Sequence, residues 1–109
     1  MARHMTEEEL LTAITEAATY LGWRWHHIRR SDKALQQGHS GFPDLVLAKG
    51  QRVYFLELKA AKGTTTPDQE AWIEALPGAY VIRPADLDRV LSVLKWEEPL
   101  KEGELLGSK

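Results

Sequence analysis

Asp44, Glu57 and Lys59 are the residues whose types and spacing could do chemistry. Asp44 opens the apolar run Asp44-Leu45-Val46-Leu47-Ala48, and Glu57 and Lys59 close the run Val53-Tyr54-Phe55-Leu56-Glu57-Leu58-Lys59. Lys49-Gly50-Gln51-Arg52 lies between the two runs and reads as a hairpin connection. Glycine at the first central position predicts a type II′ turn. With Gly50-Gln51 as a two-residue turn, Lys49 faces Arg52, and counting outward brings Asp44 opposite Glu57. Opposite residues of an antiparallel pair have Cβ atoms roughly 5 Å apart. Side chains alternate along a strand, so Lys59 shares the face of Glu57. Leu56 and Leu58, with Leu45 and Leu47 opposite them, point the other way, towards a core.

Like charges placed directly opposite destabilise a sheet. A divalent cation with oxygen ligands would offset that repulsion, and magnesium is commonly held by one or two carboxylates together with substrate phosphate. A protonated lysine beside such an ion cannot be a ligand. It can orient an attacking water or stabilise charge developing on a phosphoryl group. Two acids, an amine and a cation make a set for phosphodiester hydrolysis. The residues by themselves also allow solvated carboxylates with Lys59 paired to one of them. A register slip of one residue would move one carboxylate to the other face.

The elements that must position this set are legible from local signals. Thr6-Glu7-Glu8-Glu9 has the form of a capping box. Leu10, Leu11, Ile14, Ala17, Ala18 and Leu21 follow at helical spacing, and Gly22 ends the helix. Trp23 to Ile28 reads as a strand. Arg29 to Pro43 reads as a loop with a helical turn at Lys33 to Gln37. After the hairpin and a loop over Ala60 to Thr65, Thr66-Pro67-Asp68-Gln69 is a second capping box with proline at the first helical position. That helix stops at Pro77-Gly78. Ala79 to Arg83 is a short strand, and Asp86 is expected to cap a last helix carrying Leu87, Val90, Leu91 and Leu94. The order α-β-β-β-α-β-α predicts a single α/β domain over residues 6–96. It has a four-stranded mixed sheet flanked by helices, with flexible segments at 1–5 and 97–109.

Composition narrows the classes. A chain of 109 residues supports one core and not two. Hydrophobic residues at 43% and charged residues at 28% fit a globular domain. The absence of cysteine excludes disulfides and thiolate-bound zinc or iron–sulfur centres. No apolar run is long enough to span a bilayer and no signal-peptide core is present, so a cytoplasmic location is expected. The net charge of −2 does not announce a nucleic-acid partner. Its distribution is more telling: Arg24, Arg29, Arg30 and Lys33 stand against Asp32 alone, with His26 and His27 between them. Such a patch suits phosphate, and equally a solvated surface.

Gly41-Phe42-Pro43-Asp44, Phe55-Leu56-Glu57-Leu58-Lys59 and Thr66-Pro67-Asp68-Gln69, in that order, resemble the PD-(D/E)XK nuclease superfamily. More narrowly they resemble the VRR-Nuc family, whose members often read G-x-P-D, then E-x-K, then a serine- or threonine-led helix with glutamine at its third position. The resemblance runs from about Thr6 to about Leu94. It implies a restriction-endonuclease-like core and a metal-dependent DNA endonuclease using Mg2+ or Mn2+, with one or two ions. Asp44, Glu57 and the Leu58 carbonyl take the ligand positions. Lys59 takes the catalytic lysine position, and Gln69 matches a glutamine that reaches the active site. The family's glutamate on the first helix aligns best with Glu9, with Glu16 as the alternative. The family's small stand-alone members are phage and bacterial proteins. The resemblance therefore implies a homodimer cutting branched DNA such as a four-way (Holliday) junction.

In this reading Arg29, Arg30, Lys33, Lys62 and Lys49 hold the DNA backbone, a sequence-independent contact. His39 and Ser40, just before the first motif, are further candidates for phosphate, although an exposed loop histidine has an ordinary explanation. Glu9 and Gln69 also have complete readings as capping-box partners, and for Gln69 the two roles can coexist. His26 and His27 are adjacent on a strand and face opposite ways. Trp23 and Trp25 share a face that suits a core or a dimer surface, Trp72 should pack, and Trp96 follows the last helix. Two competing readings are a nucleic-acid-binding module that keeps the fold without cutting, and an end- or flap-processing nuclease.

Overall fold

The structure is a computed structural model and describes residues 4–28 and 37–96. The elements run α1 (Glu7–Tyr20), β1 (Arg24–His27), β2 (Leu45–Lys49), β3 (Arg52–Leu58), α2 (Pro67–Ala75), β4 (Ala79–Ile82), a 3-10 turn (Pro84–Asp86) and α3 (Leu87–Trp96). The order matches the one predicted from sequence. The expected turn around Lys33 falls on residues 29–36, outside the described residues, as do residues 97–109.

Both capping boxes form. The Thr6 hydroxyl accepts the Glu9 N–H at 3.0 Å, and the Thr6 N–H donates to Glu9 Oε1 at 2.9 Å. This reciprocal pair satisfies two of the donors that a helix start leaves orphaned. Leu10, Ile14 and Ala18 then recur every fourth residue and are fully buried, so α1 lays one apolar stripe against the sheet.

The strands lie in the order β1-β2-β3-β4. β1, β2 and β3 are antiparallel neighbours, and β3 pairs parallel with β4 after the crossover through α2. The hairpin register is the predicted one, with Lys49 opposite Arg52 and Leu45 opposite Leu56. The turn type differs. Gly50 has φ 55° and Gln51 φ 72°, and positive φ at both central positions is the mark of type I′, not II′. Both types match the strand twist, and here a glutamine accepts the left-handed conformation.

Asp86 also departs from expectation. Its carboxylate accepts the Arg83 N–H at 2.8 Å and closes the 3-10 turn that leads into α3, rather than capping α3 itself. Pro84 starts that tighter turn, so the chain enters α3 already wound.

Alternation along the strands sorts the sheet into two faces. On one face Leu45, Leu47, Tyr54, Leu56, Leu58 and Ile82 meet Leu10 and Ile14 of α1 and Val90 and Leu94 of α3. Trp23 seals this core: its indole N–H donates to the Leu94 carbonyl at 3.0 Å and its ring lies 5.8 Å from that of Tyr54. Trp25, on the same side, is 44% exposed and its indole N–H donates to the Thr19 hydroxyl, so of the two tryptophans one is core and one is surface. On the other face a smaller cluster of Ile73, Ala79 and Val81, with Phe55 and Leu76, packs under α2. Trp96 ends α3 and is exposed.

Candidate active site

The site begins where the β2–β3 ladder stops. Leu45–Leu56 is the last paired position, so Asp44 lies one residue beyond the ladder instead of directly opposite Glu57 within it. The reason lies in the chain around it. The Asp44 carbonyl accepts the Ile28 N–H at 2.8 Å, which continues the pairing with β1. Pro43 has no N–H with which to continue the pairing with β3. The Asp44 carboxylate fills the gap: Oδ2 accepts the Leu58 N–H at 3.0 Å. In an extended residue the N–H and C=O point to the same edge of the strand, so the Leu58 carbonyl also faces Asp44.

Glu57 projects to the α2 face, in register with Val81. It is 1% exposed, and Gln69 beside it is 3% exposed. A carboxylate that deep costs several kcal/mol unless it is paired and hydrogen-bonded. The Gln69 side-chain amide donates to Glu57 Oε2 at 3.0 Å, and Lys59 Nζ lies 3.6 Å from the same oxygen. The amino end of α2 adds its own favourable dipole.

Gln69 serves two ends at once. Its Oε1 accepts the Thr66 N–H at 2.9 Å and its own N–H donates to the Thr66 hydroxyl at 3.2 Å, which completes the capping box. The remaining donor, Nε2, is the one that holds Glu57. The helix cap therefore sets the position of the amide that orients the buried acid.

The first motif is explained by how its loop docks on α2. Gly41 has φ 94°, and a Cβ there would lie 2.6 Å from the Asp68 backbone carbon and 2.8 Å from the Gln69 nitrogen. Only glycine permits that approach. Around it the Ser40 hydroxyl donates to Asp68 at 2.6 Å, and the Trp72 indole N–H donates to the His39 carbonyl at 3.2 Å. The Phe42 ring sits edge-on between Trp72, at 4.9 Å, and Phe55, at 5.9 Å. Trp72 packs, as its place on the helix predicts, but no short-range signal ties it or Asp68 to this loop, because the contacts cross some thirty residues of chain.

The fold thus brings Asp44, Glu57, Leu58, Lys59 and Gln69 together. Glu9 and Glu16 stand apart from them. They line an open groove along α1 itself, and α1 packs on the sheet face opposite Glu57. Glu9 is committed to the Thr6 cap, and among the described residues no three acidic or histidine side chains cluster as a metal cage. Lys49 is at the far end of β2, where its ammonium donates to the Leu21 carbonyl at 2.8 Å and closes the carboxyl end of α1. His39 and Ser40 are exposed, with the bonds to α2 just described. Lys62 is exposed on the loop after Lys59. Arg29, Arg30 and Lys33 lie outside the described residues.

A divalent cation fits this donor set. Asp44 and Glu57 with the Leu58 carbonyl are all-oxygen donors. Magnesium takes one or two carboxylates and leaves its remaining positions to water and phosphate, rather than demanding a cage built wholly of protein.

Residues 5–83 match the VRR-NUC domain, well over half of the chain and the span that carries all three motifs. Neither the curated proteins nor the solved structures contain a match. The chain belongs to the VRR-NUC domain family, nucleases of the PD-(D/E)XK type.

Proposed function

We propose that this nuclease is a divalent-metal-dependent endodeoxyribonuclease that acts on branched DNA as a homodimer. The observation that carries the metal-dependent reading is the buried Glu57 carboxylate, held by Gln69 and Lys59 next to Asp44 at the open end of the ladder. Asp44, Glu57 and the Leu58 carbonyl are the residues that would hold the ion. When bound, Mg2+ or Mn2+ polarises the scissile phosphate and makes water a competent nucleophile near neutral pH. Lys59 offers its ammonium to the charge that develops on the phosphoryl oxygens, an electrostatic contribution that is largest in a dry site. Gln69 keeps Glu57 oriented, and Leu58 keeps Asp44 oriented through its N–H.

The branched substrate and the dimer rest on economy of structure. The described residues form one small domain with one such site, and no base-reading element accompanies it. Paired cuts across a junction need two matched sites, which twofold symmetry supplies.

A labelled four-way junction, a linear duplex and a single strand, each incubated in magnesium, manganese or EDTA, test this reading. Metal-dependent paired cuts in the junction alone, from a protein with dimer mass in light scattering, are expected. Cutting of flaps or linear duplex would keep the metal-dependent site and overturn the substrate. A monomeric mass would remove the dimer. Tight binding without cleavage of any substrate would leave a binding module.

A further inference from the structure

Arg83 occupies a place that neither the sequence motifs nor the capping boxes account for. β3 and β4 run parallel with Leu58 beside Ile82, and the Lys59 N–H continues the ladder to the Ile82 carbonyl at 2.9 Å. The next position in register sets Arg83 beside Lys59. Paired residues of a parallel ladder share a face, and alternation from Glu57–Val81 puts Lys59 and Arg83 on the face of Glu57. Two cations therefore stand on neighbouring strands at the same end of the sheet.

The guanidinium is held in place. Its Nη2 donates to the Gly63 carbonyl at 2.9 Å. Gly63 packs against Lys59: a Cβ built on it would lie 3.5 Å from the Lys59 Cβ. The backbone beneath is fixed too, since the Arg83 N–H and carbonyl are both bonded to Asp86, each at 2.8 Å. Asp86 thus spends its carboxylate on the Arg83 backbone and not on the side chain. Among the described residues Arg83 makes no ion pair, and its one side-chain hydrogen bond goes to a neutral carbonyl. A half-buried arginine with a rigid base, a forked donor head and no carboxylate partner among the described residues, next to a lysine of like charge, is built for an external anion.

We propose that Arg83 binds a phosphate of the DNA strand next to Lys59, so that the two side chains grip the backbone from adjacent strands. The inference rests on the nuclease reading above. It assigns Arg83 to strand positioning and leaves the developing charge at the reacting phosphorus to Lys59. Because Gly63 lies between them, the grip also ties the loop carrying Lys62 to the bound strand.

The test is the salt dependence of four-way-junction and duplex binding in EDTA, where no cleavage occurs, for wild type and Arg83→Gln. One phosphate contact changes the slope of log affinity against log salt by about 0.9. Arg83→Gln should lower the slope by about that amount, while Arg83→Lys, which keeps the charge, retains it. A purely structural arginine would change the melting temperature and leave the slope alone, and that result overturns the assignment. A wild-type protein with no salt-dependent DNA binding would overturn the nuclease reading and the assignment together. If Arg83→Gln does not fold, the Nε–Hε resonance of Arg83 in the wild-type protein decides: it should shift on adding the four-way junction, and a resonance unmoved at saturation contradicts the contact.

Discussion

The two faces of the sheet do different work. The face under α1 and α3 is apolar from Leu45 to Ile82 and closed by Trp23. The face under α2 has a smaller apolar cluster, and the end of it holds a buried carboxylate, a buried amide and a lysine. The same two strands, β2 and β3, supply both. Alternation alone sends Leu56 and Leu58 into the core and Glu57 and Lys59 to the site. The lesson is that stability and chemistry are separated by one residue of register. The large core tolerates a costly buried charge on the opposite face because the two faces share backbone and not side-chain contacts.

That division can be broken from either side. Leu56→Ala, in the main core, should lower stability by about 2–5 kcal/mol, read as the midpoint of urea unfolding. Cleavage per folded molecule should stay near wild type below the transition. Lys59→Ala should act first on the chemistry. Removing one charge-stabilising donor costs about 10²–10³ in turnover, and the melting temperature falls as well, because the buried Glu57 carboxylate loses its ammonium partner. Loss of metal affinity in that variant, followed by calorimetry, would mean that Lys59 supports the ligands and not the reaction.

Gly41→Ala falls between the two. Its methyl would meet the Asp68 and Gln69 backbone at 2.6–2.8 Å, so the loop or α2 must shift. A destabilisation of roughly 1–3 kcal/mol is expected, together with a loss of turnover, because Gln69 moves with the helix. A stable Gly41→Ala with full activity would show that the docking of the loop does not position the site. The smallest effect is expected at the hairpin. Gln51 holds φ 72°, so Gln51→Gly should raise stability by about 1 kcal/mol or less. Thermal melting checks this, and cleavage should be unaffected at this end of the sheet.

The parts that were legible in the sequence are those set by neighbours along the chain. Thr6 with Glu9, Thr66 with Gln69, and Lys49 through Arg52 each carry their structural signal within four residues; both capping boxes formed as read, and the hairpin formed in the expected register with a different turn type. From the hairpin alone the shared face of Glu57 and Lys59 followed. What was not legible depends on partners distant in sequence. The ladder ends before Asp44 because the next position that would bond to β3 is Pro43, which has no N–H, and the Asp44 side chain takes the Leu58 N–H instead. The depth of Glu57 depends on the helix that covers it, and its bond to Gln69 uses the one donor that the capping box leaves over. The turn type was missed because both primed turns accept glycine first, and only the conformation of Gln51 separates them. Arg83 was read as the end of a strand, since nothing local reveals that a parallel crossover will set it beside Lys59.

The measurement that bears most directly on the central claim is cleavage of labelled DNA by wild type and by Asp44→Asn, in magnesium, manganese and EDTA. Asparagine can still accept the Leu58 N–H, so the variant should fold and bind DNA. Cleavage is expected from wild type only with metal, and from Asp44→Asn under no condition. Cleavage by wild type in EDTA, or full activity in Asp44→Asn, would contradict the claim.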